Sequence, residues 1–356
     1  MQLIRITVQD FRNLSWVDLE ILGQRLFLVG KNGQGKTNLL EAMALAGALR
    51  SFRTSDARDL IAHGRPQANL AWEWRSESGQ QKVVATFRPG SKELTVDGEK
   101  IPRVGDYLGR FSTVVFSSQD LQLIRGGPAL RRRWIDSLLA TAHPEYLRNL
   151  QRYTRALEAR NRLLRDAAKD AELAAFEREM AGEAAELVVC RRKASVPLSL
   201  LVKDAATAVA EPGESTAFSL RIEDGADRQD YWLSTWEETR EKDRILKSTT
   251  AGPHRDDVKL QINGHSARDY GSEGQQRTLV LAMRLAEARY LRDITGRRPL
   301  VLADDVLGEL DSGRRHRFWL ALGEEHQVVA TGTELPTDAG QPWQIVEIEA
   351  GKLINR

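Results

Sequence analysis

Cysteine is almost missing from this chain: Cys190 is the only one in 356 residues. A lone thiol excludes an internal disulfide framework and any zinc site built on paired cysteines. Long apolar runs are missing too, since none approaches the roughly 20 residues needed to span a bilayer. Met1 to Asp10 alternates apolar and polar residues and shows no basic-then-apolar export leader. A soluble, cytoplasmic protein is therefore expected. Net charge is also small, at +2, so bulk electrostatics announces no nucleic-acid partner. Any DNA affinity must come from local clustering of Arg and Lys.

What is present is the composition of a folded chain. Hydrophobic residues at 41% and charged residues at 29% argue against wholesale disorder, and the length allows two domains. Ile4, Ile6 and Val8 alternate with Arg5 and Thr7, the period of a half-buried strand. Apolar runs at Leu26 to Val29 and Thr113 to Phe116 suggest buried strands. Leu70, Trp72 and Trp74, Val83 to Phe87, and Leu94 to Val96 suggest more, and Asp97-Gly98 marks a tight turn. A helix is expected from Thr37 to Leu49 and another from Gln275 to Arg292.

Past Pro128 the pattern turns helical and basic. Between Leu130 and Arg165 nine Arg face three acids, a local balance of +6. Leu147, Leu150, Thr154, Leu157, Asn161 and Leu164 form a helical seam, and Leu173, Phe176, Met180 and Leu187 suggest a second helix after a polar turn. An α/β sheet domain over 1–125 plus 246–356, interrupted at 126–245 by a mostly helical insertion with a short antiparallel hairpin, is the expected architecture.

Three motifs carry chemistry. Gly30-Lys31-Asn32-Gly33-Gln34-Gly35-Lys36-Thr37 fits a phosphate-binding loop at every required position, between a strand-like and a helix-like run. Its glycines let successive N–H groups turn inward at a helix start. Lys36 supplies a compact charge for the β and γ phosphates of ATP, and Thr37 a hydroxyl for Mg²⁺. The apolar run Leu300 to Ala303 ends in Asp304 and Asp305. Asp304 is placed to serve the Mg²⁺ shell and Asp305 to polarise an attacking water. Ser272, Gly274 and Gln275 open the second helix with a hydroxyl, free N–H groups and the positive end of a helix dipole. Alone, that cap would be read as an ordinary helix start. Its place between phosphate loop and acidic strand gives it a second meaning.

That order resembles ABC-type ATPases, and more closely the heads of SMC-like DNA-repair ATPases, among them the RecF family over nearly the whole chain. The likeness rests on Phe11-Arg12-Asn13, Lys36 to Ala42, Ser51-Phe52-Arg53-Thr54 and Arg131-Arg132-Arg133. It continues through Gly252-Pro253-His254-Arg255-Asp256-Asp257, Gly274-Gln275-Gln276-Arg277-Thr278 and Asp304-Asp305-Val306-Leu307. The resemblance implies an ABC/SMC-head-like P-loop fold and an ATP-dependent homodimer. In it, Ser272 and Gly274 of one copy contact the γ phosphate held by the other copy's Lys36. It implies roles for Arg12 and Gln119 at the nucleotide, and for Asp311 where the interface crosses. It further implies double-stranded DNA as ligand, gap junctions included, and RecR and RecO as partners in recombinase loading.

The departures are specific. Asp305 stands where transporters carry Glu, which implies slow turnover. Gln119 stands where the family commonly reads Pro-Glu before Asp. Thr331 and Thr333 follow the last core strand in place of a transporter-like His, and Glu273 replaces a small residue in the signature. For DNA, Arg131, Arg132, Arg133, Arg148, Arg152 and Arg155 are the expected phosphate contacts, with a solvated, ion-paired helix face as the plain alternative. A transporter subunit is disfavoured by the 242 positions between Gly30 and Ser272. A non-hydrolysing DNA adaptor stays open.

Overall fold

The structure, a computed structural model, describes residues 1–77, 79–211, 213–306, 310–334 and 342–354. Contacts divide the chain into two units: Met1–Asp120 with Ala205–Glu211 and Leu281–Arg356, and Leu121–Asp204 with Pro212–Val280. This differs from the expected 126–245 insertion. Strand Thr216–Arg221, unforeseen in a segment read as helical, pairs antiparallel with Asp257–Ile262, through Asp257↔Arg221 to Ile262↔Thr216. That ladder ties to the second unit a segment that the sequence had placed in the first.

The first unit holds two six-stranded sheets. One is antiparallel and contains Gln2–Phe11, Leu14–Glu20, Ala68–Ser76 and Gly79–Arg88. A register shift between Leu3 and Arg5 changes the parity of the first strand. Leu3 therefore enters the core with Ile6 and Val8, rather than Ile4. The other sheet runs in the order Lys352–Ile354, Gln344–Glu349, Arg25–Val29, Val328–Gly332, Leu300–Asp304 and Thr113–Ser117. All of its pairings are parallel except the terminal hairpin.

Helix Lys36–Ala48 is buried at ten of its 13 positions, and apolar residues all round a helix require cover on every side. Both sheets supply it. Trp72 Nε1 donates to Ala42 O at 3.0 Å and Thr113 Oγ1 to Ala44 O at 3.2 Å. Gly47 is required here, because a Cβ would stand 2.3 Å from Thr113 Oγ1.

In the second unit, prolines at the first turn start helices Pro128–Ala142 and Pro144–Arg165. The partner helix Asp170–Val209 is 40 residues long and continues through Pro197, far beyond the short hairpin expected. The expected leucine seam is displaced as well. The fully buried positions of Pro144–Arg165 are Tyr146, Tyr153, Ala156, Arg160 and Leu164, while Thr154 is exposed and Leu147, Leu150 and Leu157 are half-buried. The inward face is aromatic and ionic. Tyr146 donates to Asp136 at 2.5 Å, and Arg191 bonds Asp136, Asp256 and Pro253 O.

Beside this face, His254 Nε2 lies 3.1 Å from Thr249 O and Nδ1 lies 2.6 Å from Tyr153 OH. A carbonyl can only accept, so Nε2 carries the proton and Nδ1 accepts from the tyrosine. Burial, aided by the cations Arg255 and Arg132, lowers the imidazole's pKa to about 4. The folded pKa lies below the unfolded one, so the unfolded state takes up the proton first as pH falls. Stability should therefore be lost between about pH 6.5 and pH 4, by up to ~3 kcal/mol. NMR titration of the ring checks this: a midpoint near 6.5 in the folded protein would refute the neutral, doubly bonded imidazole.

Candidate nucleotide site

The parallel register aligns four strand ends. Asp304 pairs with Ser117 on one side and Thr331 on the other, while Thr331 and Gly332 pair with Leu28 and Val29. Gly30 follows directly, so the phosphate loop leaves the sheet at the carboxyl edge, where open α/β sheets hold ligands. Close packing demands glycine at Gly30, since a Cβ would meet Ile348 O at 2.4 Å. Gly35 is the helix cap at φ 112°, and as glycine it offers no side-chain cap to the N–H groups behind it. Uncapped donors at a helix start form an anion seat. Gln34 pins the loop from outside, its Oε1 accepting from Ala350 N at 2.7 Å and its carbonyl from Gly351 N at 2.9 Å. Lys31, Asn32 and Gly33 form the exposed rim.

Lys36 folds back on the loop, donating to Gly30 O at 2.6 Å and Lys31 O at 2.9 Å. Burial lowers its pKa, against the pull of Asp305 and Asp304. Thr37 Oγ1 donates to Asp304 Oδ1 at 2.8 Å, and Thr331 Oγ1 donates to the same oxygen at 3.1 Å. Burial raises the Asp304 pKa, opposed by these two hydroxyls. Thr331 also accepts from Asp305 N at 3.0 Å. It thus braces both acids instead of facing outward, a role the sequence did not disclose; Thr333 is exposed. Asp305 adopts φ 55°, a left-handed conformation that Asp tolerates better than most residues.

The donor set fits the implied metal. A hydroxyl and a carboxylate, both hard oxygen ligands, share one spot, and Mg²⁺ ordinarily takes few protein ligands beside phosphate oxygens and water. Among the described residues no cluster of three acidic, His or Cys side chains forms a closed cage. Thr37 and Asp304 would hold the ion, which would neutralise phosphate charge there.

Arg12 is engaged with Glu41, Nε and Nη2 standing 2.5 and 2.7 Å from its oxygens. Glu41 is wholly buried and also takes Ser51 Oγ at 2.5 Å and Arg53 at 3.0 Å. Two guanidiniums thus share one carboxylate on the phosphate-loop helix. Glu41, Ser51 and Arg53 stood in the matched runs without a role. Their arrangement gives one, because positive charge is left over beside the loop. Gln119 is exposed on the turn Ser118–Leu121. Beneath it Asp120 accepts from Ser117 N at 2.8 Å and Arg284 at 2.6 Å, which fixes the turn. Asp311 caps helix Ser312–Leu322 through Arg314 N. Leu307 and Glu309 of the same segment lie outside the described residues.

In the second unit, Ser272 and Gln275 form a reciprocal cap: Ser272 N donates to Gln275 Oε1 at 3.0 Å and Gln275 N to Ser272 Oγ at 3.3 Å. This capping box starts helix Glu273–Thr295. Ser272 and Glu273 are exposed and Gly274 is half-buried.

The arginines expected at DNA fare unequally. Arg131 is 8% exposed, bound to Asp257 at 2.8 and 3.0 Å and to Leu123 O and Gly126 O, so its guanidinium is engaged within the protein. Arg132 donates to Asp256 O at 2.8 Å. Arg148 pairs with Glu145 and Arg152 with Glu183. Arg155 bonds Gln151 O, and Arg133 is exposed. Clustering in sequence overstated the free charge at Arg131 and Arg152, because Asp257 and Glu183 from distant segments fold against them.

The RecF/RecN/SMC N terminal domain family matches residues 2–334. A DNA replication and repair protein RecF of Rippkaea orientalis is 35% identical over 380 residues, covering 99% of both chains. The chain belongs to the RecF family. Among solved structures, the recombination mediator protein RecF with ATP in the RecFOR pathway superposes at TM-score 0.91 and 29% identity, over 99% of this chain and 96% of that one. An Smc head bound to the C-winged helix domain of ScpA gives 0.59 at 15% identity, over 99% and 98%. This RecF-family chain thus has the SMC-head-like ATPase fold. No helix among its described residues is long and apolar enough to cross a membrane.

Proposed function

We propose that this chain is an ATP-dependent, dimerising DNA-binding protein of recombinational gap repair and replication-fork maintenance, in which slow ATP hydrolysis releases the dimer. The observation that carries it is a pair of anion seats on one chain. One is the uncapped helix start with Lys36, Thr37 and Asp304. The other is the exposed Ser272 cap of helix Glu273–Thr295. The related RecF with ATP supports ATP at the first seat. Gly30 to Thr37 bind the triphosphate, Asp304 and Thr37 the Mg²⁺, and Asp305 polarises water. Ser272, Gly274 and Gln275 meet the nucleotide of a second copy. ATP that binds the dimer better than the monomer shifts association by mass action. The relatives' names support DNA as ligand, and the RecFOR pathway of the related RecF supports RecR and RecO as partners.

Light scattering with and without Mg-ATP tests the central step. Wild type should pass from the mass of one chain to that of two. Ser272→Arg should bind ATP and remain monomeric, at a cost of about 1 kcal/mol in helix capping. A variant that dimerises normally removes Ser272 from the shared site.

A further inference from the structure

Of the six arginines singled out in the sequence, Arg131, Arg148 and Arg152 pair with acids, and the second unit carries further free charge on another surface. Arg221 ends strand Thr216–Arg221, Lys259 lies in Asp257–Ile262, and Arg268 is the second residue of the helical turn Ala267–Tyr270. All three are exposed, and among the described residues no acidic group pairs with any of them. They line one cleft of about 370 Å³ together with Ser266, Arg131 and Asp257. The one acid there, Asp257, is neutralised by Arg131 at 2.8 and 3.0 Å. Four cations against one carboxylate leave a cleft charge of +3.

The wall that carries Arg268 is held in place. Gln276 is 4% exposed; it donates to Ala267 O at 2.9 Å and accepts from Arg125 Nε at 2.8 Å. Gly271 packs so tightly that a Cβ would stand 2.6 Å from Ala267 O. The cations thus come from a strand, its neighbour and a braced turn, not from mobile tails. An open, hydroxyl-bearing cleft with surplus positive charge and no acidic partner matches a phosphodiester chain, whose charges recur along its length.

We infer that Arg221, Lys259 and Arg268 form a phosphate-backbone contact site for DNA, in addition to the exposed arginines of helix Pro144–Arg165. The inference rests on the proposed DNA-binding function and gives it a location. Contacts to phosphate are sequence-independent, so the site adds affinity and register, not base choice.

The test is a salt titration of duplex DNA binding by the full chain in Mg-ATP, for wild type and Arg221→Ala/Lys259→Ala/Arg268→Ala. The triple variant should fold, bind ATP like wild type, and lose affinity equally for duplexes of unrelated sequence. Its slope of log affinity against log salt should flatten by about three, close to one per phosphate contact removed. Arg221→Lys/Arg268→Lys, which keeps the charge, should retain most of the slope. An unchanged slope in the alanine variant overturns the site, and capture of an acidic protein partner by the cleft would appear that way. Wild type that binds no duplex at any salt overturns the proposed function and this site with it.

Discussion

Arg160→Met lowers the stability of the second unit by about 3–5 kcal/mol, the usual cost of removing one member of a buried ion cluster. Arg160 is completely buried; it bonds Glu177 at 2.9 and 3.1 Å, Asp243 at 2.7 Å and Thr249 at 2.8 Å. Glu177 keeps a second partner in Arg240, and Asp243 keeps Thr250 N and Oγ1. The loss is therefore set mainly by Asp243, which loses its guanidinium partner in a completely buried site. Removing that charge too, in Arg160→Met/Asp243→Asn, should recover part of the stability, since an apolar or neutral replacement of the whole set costs less than a broken pair. Urea unfolding followed by amide hydrogen exchange on helix Pro144–Arg165 reads the effect. A single-variant loss under about 1 kcal/mol would mean that water reaches the cluster and screens it.

That cluster also shows where the sequence could be read and where it could not. The phosphate loop was legible because its chemistry depends on backbone freedom at fixed spacing, and Gly30, Gly35, Lys36 and Thr37 stand where the pattern places them. Strands Gln2–Phe11 and Ala68–Ser76 were legible from their period, apart from the shift of parity between Leu3 and Arg5. The seam of helix Pro144–Arg165 was misread for a physical reason. Leucines at helical spacing normally mark a core, yet here Tyr146, Tyr153 and Arg160 are buried because Asp136, Glu177, Asp243 and His254 arrive from distant segments to satisfy them. Partners so remote in sequence leave no local mark. The same cause takes Arg131 out of the free charge, because Asp257 pairs with it, and left strand Thr216–Arg221 unforeseen. Thr331 is the converse case. It was noted as a replacement for His, but only the register Asp304↔Thr331 shows that its hydroxyl serves both acids.

Asp305→Asn should slow ATP hydrolysis by about 10²–10⁴-fold, the range typical of losing a positioned general base, while ATP affinity changes little. The geometry divides the labour between the two acids. Asp304 is spoken for by Thr37 and Thr331 and suits the metal. Asp305 lies one residue past the strand, exposed, with its N–H held by Thr331 and its backbone turned to φ 55°. Asp305 is exposed where Asp304 is half-buried, so the second acid is the one open to a water. Asn retains the turn, because its short polar side chain also tolerates that conformation, and it removes only the basic oxygen. Single-turnover hydrolysis should therefore fall while the proposed ATP-held dimer should live longer, since the phosphate proposed to bridge the copies would no longer be removed. If turnover stays within about twofold of wild type, well short of a base's contribution, Asp305 is not the base. The chain then behaves as an adaptor that holds ATP, with dimer lifetime set by nucleotide dissociation alone.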